Sequence, residues 1–364
     1  MKTLPTGSVI GILGGGQLGR MTAMAAARLG YRCHIYCPES EAPALDVCAF
    51  HTQGDFDDEG KLAVFARSVD VVTLEWENVP LHALDVIAQY TPVHPGASVL
   101  KIAQDRGLEK SFARKVGIGT ADFTLVNSSD ELEEAIKNYH LPVLLKSTRM
   151  GYDGKGQVKI VTSAEARAAW VEMGSRHGIV EALVDFACEI SVIVARREDG
   201  KTVAYPPVQN THRNHILNET VAPAPLSRDI LDQAVQTAIH MAEELGVIGL
   251  LAVELFVLKV PDKDGQIVLL NEIAPRPHNS GHWTIDACSC NQFEMLVRAV
   301  CGLPLGSARP HHRAVMHNIV GDESDRFAMW LADPSACLHL YGKKETRDGR
   351  KMGHVTFLKE VWRD

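Results

Sequence analysis

Two carboxylates fall where carboxylates are rarely found. Glu254 lies in the middle of the apolar run Leu251-Ala-Val-Glu-Leu-Phe-Val257, and Glu272 near the end of Ile267-Val-Leu-Leu-Asn-Glu-Ile273. An ionised carboxylate buried without a partner is costly, so each needs a cation or strong donors. A polar turn, Pro261-Asp-Lys-Asp-Gly265, separates the runs. A hairpin centred on Lys263 sets the two glutamates directly opposite each other. Like charges facing across a ladder destabilise it. A divalent cation between them removes that conflict, and oxygen ligands sharing the ion with phosphate suit magnesium. The alternative is a solvent-facing pair on an exposed edge, which the apolar flanks disfavour.

A second group could hold the phosphates. Lys146 ends the strand-like Pro142-Val-Leu-Leu-Lys, and a glycine-rich loop follows at once: Gly151, Tyr152, Asp153, Gly154, Lys155, Gly156, Gln157. A lysine supplies a point charge and such a loop supplies backbone N–H groups; alone, the loop reads equally as a solvated turn. Further on, Glu181-Ala-Leu-Val184 precedes a strand in which Glu189, Ser191 and Ile193 share one face, opposite Ile190, Val192 and Val194. A carboxylate at Glu189 suits ribose hydroxyls, and the apolar hinge suits adenine. Near the N-terminus, Gly14-x-Gly16-x-x-Gly19 fits a phosphate-binding turn. It matches a dinucleotide site imperfectly: such a site uses an acidic residue at the end of the second strand, which here runs His34-Ile-Tyr-Cys-Pro38 with Glu39 just beyond. A tight turn that only packs helix on sheet is an equal reading, and a nucleotide-dependent oxidoreductase is a rival.

These residues need positioning elements. Residues 8–13, 32–36 and 70–75 read as strands separated by helices at 20–29 and 58–68, a βαβ alternation implying a parallel, doubly wound sheet. Residues 98–116 read as one helical linker, and 163–173 as a helix capped by Ser163. Residues 178–184 and 188–196 read as strands, 228–245 as a helix, and the last fifty residues as irregular. Apolar residues make up 46% and charged residues 23% of the chain, an ordinary globular composition. A net charge of −8 disfavours a nucleic-acid binder. No run approaches the ~20 apolar residues of a membrane span, and the start of the chain has no signal-peptide pattern. Eight cysteines without a CxxC pair read as reduced thiols, which fits a cytoplasmic protein.

Lys146, the 151–157 loop, Glu181 with Glu189, and Glu254 with Asn271-Glu272 stand in the order seen in ATP-grasp ligases. Gly14-Gly-Gly-Gln-Leu-Gly-Arg20-Met21, Leu74-Glu-Trp-Glu-Asn78, Gly151-Tyr-Asp-Gly-Lys-Gly-Gln157, Asn271-Glu-Ile-Ala-Pro-Arg-Pro-His-Asn-Ser-Gly-His282 and Tyr341-Gly-Lys343 narrow the likeness. Over nearly its whole length the chain resembles the N5-carboxyaminoimidazole ribonucleotide synthetases. The resemblance implies an α/β and α+β multidomain fold. Its parts would be a Rossmann-like pre-ATP-grasp domain (1–104), an ATP-grasp lid (105–185), a metal and nucleotide subdomain (186–308) and a small C-terminal domain (309–364) packing on the main body. It implies ATP, two magnesium ions and bicarbonate, with neither NAD nor biotin. The substrate would be 5-aminoimidazole ribonucleotide, carboxylated through carboxyphosphate in purine biosynthesis. It further implies a cytoplasmic homodimer with transient handover to a mutase, and no nucleic-acid or membrane partner.

Carried over by motif, Arg106, Lys146, residues 151–157, Glu181, Ala182, Leu183, Val184, Glu189, His212, Asn271 and Glu272 would contact ATP. Glu254 and Glu272 would hold magnesium. Gln17, Leu18, Glu75, Tyr152, Asp153, Asn279, Lys343, Arg350 and Lys351 would surround the ribonucleotide. Arg276, His278 and Lys146 would be catalytic, with a plain structural histidine an equal reading of His278. Many ATP-grasp enzymes place an asparagine two residues after the second glutamate; here Ala274 stands there. A formate-dependent glycinamide ribonucleotide transformylase is the nearest alternative. Gln17 and Asn279 stand where that enzyme expects a glutamate and an aspartate.

Overall fold

A computed structural model describes residues 3–151, 156–262 and 264–362. Tyr152, Asp153, Gly154, Lys155 and Lys263 lie outside the described residues.

The first strands are β1 (Val9–Leu13), β2 (Arg32–Cys37), β3 (Phe50–Gln53) and β4 (Val71–Leu74), with helix α1 (Gln17–Arg28) after β1 and α2 (Glu59–Arg67) before β4. They form an all-parallel sheet in the order β3-β2-β1-β4. Every β1 residue is buried because both faces are covered. Ile10 and Ile12 pack with Ala23 and Ala26 of α1, while Val9 and Leu13 pack with Leu62 and Phe65 of α2. The short β3 was not legible: its residues are mostly exposed, so no apolar pattern marks it.

Helix α3 (Leu81–Ala88) leads to the expected linker, which is two helices rather than one: α4 (Ala97–Ala103) and α5 (Arg106–Lys115). Asp105 breaks it by capping α5, its carboxylate accepting the N–H of Gly107 at 3.0 Å and of Leu108 at 3.1 Å. The lid follows, with β5 (Phe123–Val126), α6 (Ser129–Ala135), β6 (Val143–Ser147), β7 (Gln157–Ile160), α7 (Ala166–Met173) and β8 (Gly178–Ala182). Its antiparallel order is β5-β8-β6-β7. Ser163 does not cap α7; it sits inside a 3-10 turn, and Glu165 instead accepts the Val161 N–H at 2.8 Å.

The largest sheet takes β9 (Phe186–Arg196), β10 (Thr202–Ala204), β11 (Val208–Arg213), β12 (Ile216–Ala222), then, after α8 (Arg228–Glu244), β13 (Gly249–Leu258) and β14 (Val268–Ala274). Helices α9 (Thr284–Ala287) and α10 (Gln292–Val300) precede β15 (His312–Val320), α11 (Phe327–Trp330), β16 (Ala336–Leu340) and β17 (Lys351–Val361). The order is β14-β13-β9-β11-β12-β15-β17-β16, with β10 on β9. The last fifty residues are therefore not irregular. They complete this sheet, although His312, His317, His339 and His354 within the strands hide the usual apolar alternation. Among the described residues no helix is long and apolar enough to cross a membrane.

Candidate active site

Strands β13 and β14 pair with Glu254 opposite Glu272, the register the sequence spacing predicted. The ladder slips by one residue between Glu254 and Leu255, so Asn271 is left without a partner as a bulge. Glu254 is mostly buried, and its Oε1 lies 2.9 Å from Nε2 of His278. Burial alone would raise its carboxyl. His278, with His212 and Lys351 behind it, reverses that and holds it below the ordinary value. Glu272 has about half its side chain open to the cleft (48%). Its carboxyl is raised, by its depth in the cleft and then by Glu254, against Arg106 and Lys146. The pair thus sits as one firm and one yielding carboxylate. Among the described residues no third acidic, His or Cys side chain completes a metal cage, and Ala274 offers none.

Above this pair, Arg106 Nη2 lies 3.9 Å from Glu272 Oε2 and donates to the Gly151 carbonyl at 3.3 Å, while Nη1 donates to the Ser147 carbonyl at 3.3 Å. Lys146 Nζ lies 2.8 Å from Glu181 Oε2. Gln157 pairs with Lys146 across β6 and β7 and its amide meets His215 at 3.2 Å. Ala182, Leu183 and Val184 line a cavity of about 570 Å³ with Arg114, Thr120 and Leu269. Glu189 and His212, on paired strands, are joined through Oε2 and Nδ1. Burial lowers the His212 pKa, but Glu189 outweighs it and the net direction is up.

His278 is held by a one-way chain. The Thr220 hydroxyl donates to Asn210 Oδ1 at 3.0 Å, Asn210 Nδ2 to Ser191 Oγ at 2.9 Å, and Ser191 to Ser280 Oγ at 2.7 Å. The Ser280 hydroxyl then meets His278 Nδ1 at 2.8 Å. Because each hydroxyl proton is committed forward, Nδ1 accepts and the ring proton sits on Nε2, facing Glu254. Arg276 is engaged by Glu77, through Nε with Oε2 and through Nη2 with Oε1 at 2.7 Å. Asn279 has both amide atoms buried without a hydrogen-bond partner among the described residues. Buried polar atoms are rarely left unsatisfied, so this amide has hydrogen-bonding capacity that the described residues do not use.

The glycine turn holds an anion supplied by the chain itself. Phosphate binding and a turn that only packs helix on sheet are equal readings of these glycines from the sequence. In the structure the anion at the start of α1 is the Glu75 carboxylate, which accepts the Gly16 N–H at 2.7 Å and the Gly19 N–H at 3.0 Å. A Cβ at Gly14 would lie 2.4 Å from Glu75 Cγ, and one at Gly16 2.6 Å from Glu75 Oε1. Gln17 opens α1, and Leu18 packs with Phe293 and Tyr341. Lys343 lies over the Tyr341 ring and donates to the Lys351 carbonyl at 2.6 Å. Burial lowers the Lys343 pKa to about 8, helped by Arg350 and Lys351 and opposed by Glu75. The C-terminal basic cluster and the glycine turn therefore face each other. Arg350 itself is bonded to the Glu345 carbonyl at 2.8 Å.

Three residues were missed in the sequence. Lys110 and Glu109 on α5 are almost fully buried at the site. Lys110 Nζ donates to the Asn271 carbonyl at 3.0 Å, and Glu109 Oε2 accepts the Ile273 N–H at 2.9 Å. Burial pushes the Glu109 carboxyl up to about 8, with Lys110 opposing. Both lie three and four residues after Arg106, hence on its helix face, and that spacing was the available signal. Glu77 was in plain view in Leu74-Glu-Trp-Glu-Asn78, two residues from Glu75.

A ribonucleotide synthetase preATP-grasp domain matches residues 8–104, an ATP-grasp domain 111–293, and a phosphoribosylaminoimidazole carboxylase C-terminal domain 314–363. The chain is 44% identical to the N5-carboxyaminoimidazole ribonucleotide synthase of Brucella melitensis, over 98% of this chain and 98% of that protein. The chain belongs to the N5-carboxyaminoimidazole ribonucleotide synthase family. It is also 44% identical to a bifunctional purine synthesis protein of Dictyostelium discoideum, over 97% of this chain but only 37% of that longer protein. Among solved structures, an ADP complex of an N5-carboxyaminoimidazole ribonucleotide synthetase aligns with TM-score 0.93 at 39% identity, covering 98% of this chain and 94% of that one. The Aspergillus clavatus synthase in complex with ADP and 5-aminoimidazole ribonucleotide aligns with TM-score 0.90 at 30% identity, covering 97% and 94%. As an ATP-grasp ligase family, its fold is the expected one: a pre-ATP-grasp domain, an ATP-grasp domain and a small C-terminal domain.

Proposed function

We propose that this chain is the ATP-dependent ligase that carboxylates the exocyclic amine of 5-aminoimidazole ribonucleotide with bicarbonate, yielding ADP and phosphate. The observation that carries the reading is the opposed pair Glu254 and Glu272 beneath Arg106 and Lys146, in a chain 44% identical to a named synthase. Glu254 and Glu272, with an open cleft beside them, would hold a magnesium ion, whose preference for oxygen ligands they meet. When bound there, the ion neutralises charge on the nucleotide phosphates. Arg106, Lys146 and the 151–157 loop orient the γ-phosphate toward bicarbonate, since phosphoryl transfer needs positioning more than covalent help. Bicarbonate becomes carboxyphosphate, an activated mixed anhydride. Arg276 binds that anion, and His278, carrying its proton on Nε2, manages proton transfer near Glu254.

The hinge 181–184 holds adenine, while Glu189 with His212 and Asn271 complete the nucleotide site. Gln17, Leu18, Asn279, Lys343, Arg350 and Lys351 surround the ribonucleotide, with Glu75 fixing the turn that presents Gln17. The divisions at 104/105, 185/186 and 308/309, a homodimer, a cytoplasmic setting and handover to a mutase belong to the same reading. The test is ADP release in the presence of magnesium and bicarbonate, with and without the ribonucleotide. Release is expected to rise on adding the ribonucleotide; no response sinks the reading.

Lys343 gives this reading a pH signature. A substrate phosphate needs the charged ammonium, which is lost as pH rises through about 8. Hence kcat/KM for the ribonucleotide, which reports the free enzyme, is expected to fall about tenfold per pH unit above that point. In the Lys343→Arg variant the profile should stay flat over the same range. For stability the sign is opposite. The unfolded chain keeps the proton to higher pH than the folded one, so this group adds stability as pH rises above about 8. An unchanged slope in the arginine variant rejects the assignment.

A further inference from the structure

We propose that Lys110 is the standing counter-ion of Glu181, and that it thereby leaves the charge of Lys146 available to the nucleotide phosphates. This rests on the reading that Lys146 meets those phosphates. The three side chains form one enclosed cluster: Lys146 Nζ lies 2.8 Å from Glu181 Oε2, and Lys110 Nζ lies 3.6 Å from Glu181 Oε1. Their side chains are 13%, 4% and 2% exposed for Lys146, Glu181 and Lys110. Glu181 Oε1 is buried and has no hydrogen-bond partner among the described residues.

Lys146 and Glu181 alone would make a neutral pair that draws a polyphosphate only weakly. With Lys110 the cluster holds two ammoniums and one carboxylate, a net positive charge beside the cleft. Lys110 is too enclosed to reach a ligand itself and is tied to the Asn271 carbonyl at 3.0 Å. When phosphate oxygens take the Lys146 donors, Glu181 would be a buried charge without a partner, which is strongly unfavourable. Lys110 prevents this: a shift of less than about 1 Å brings its ammonium within hydrogen-bond distance of Oε1. Because Lys110 also holds the strand carrying Glu272, the exchange takes place at the junction of lid and metal strand. Lys110 is thus a positioning residue that acts through Lys146.

The test measures ATP and adenosine binding to the full-length enzyme by calorimetry in four forms: wild type, Lys110→Met, Glu181→Gln, and the double variant. Lys110→Met is expected to weaken ATP binding by about tenfold or more and to leave adenosine binding unchanged, because adenosine has no phosphate. In the Glu181→Gln background, where no carboxylate needs a counter-ion, the same change should weaken ATP binding by less than about threefold. Should Lys110→Met fail to fold, the comparison of Glu181→Gln with the double variant decides. An equal loss in both backgrounds, equal losses for ATP and adenosine, or no loss overturns the proposal. Wild-type protein that binds no ATP would instead overturn the functional reading beneath it.

Discussion

Replacing Glu272 by glutamine is expected to lower ATP turnover on the order of 1000-fold while the protein melts at the same temperature or higher. The two halves of this result have one cause. Glu272 faces Glu254 across the ladder, and its carboxyl is raised by its depth in the half-open cleft and by that neighbour. Glutamine keeps the shape and removes one of two opposed charges, so the fold loses a repulsion. The cleft loses one of the two oxygen ligands proposed for magnesium and cannot balance the nucleotide charge. Circular dichroism melting and ADP release measure the two effects on the same preparation. A variant that turns over ATP near the wild-type rate contradicts the metal assignment. One that melts several degrees lower contradicts the account of the repulsion.

Arg276→Met is expected to destabilise the protein by about 2–4 kcal/mol and to abolish ribonucleotide-dependent turnover. Removing one member of an enclosed pair strands the other, and about a fifth of each side chain is open, which moderates the cost. The pair ties β4's following segment, through Glu77, to the segment just after β14. Burial would lower the Arg276 pKa, but Glu77 outweighs it; burial would raise Glu77, but Arg276 outweighs it in turn. The double variant Arg276→Met with Glu77→Gln should recover most of the stability and none of the turnover, because the stranded charge is gone but the cation for bicarbonate is still absent. Denaturant melts and ADP release distinguish the roles. If the double variant regains activity with stability, Arg276 is a strut and not a ligand.

How much of this was legible in the sequence varies with the kind of signal. The register of Glu254 and Glu272 was readable because two apolar runs around a polar turn leave few pairings, and the bulge at Asn271 absorbed the odd residue without moving them. The parallel N-terminal sheet was readable from strands buried on both faces. The C-terminal strands were not, because their alternation is carried by histidines: His354 is fully buried, stacked on His339 at 4.6 Å, and bonded to the Tyr341 hydroxyl at 2.9 Å. The helix carrying Arg106 was seen, but Lys110 and Glu109 look like ordinary surface charges until the strand that buries them is placed. Lys110 becomes informative only through tertiary contact with Asn271 and Glu181, residues far away in the chain. The Arg276–Glu77 tie is equally non-local.

The Glu75 carboxylate seated in the glycine turn has a consequence for how such chains are sorted. Strands β1 and β4 are neighbours, so an acid just past the end of β4 reaches back into the turn after β1 and occupies its N–H groups. A pattern search that reads the three spaced glycines as a nicotinamide signature would file this chain with the dehydrogenases. Pairing that search with the Leu-Glu-Trp-Glu-Asn block near residue 75 keeps this chain apart from them, because the glutamate is the plug and the glycines are cut to fit it. A redesign seeking to place a diphosphate there must evict the plug before it alters anything else.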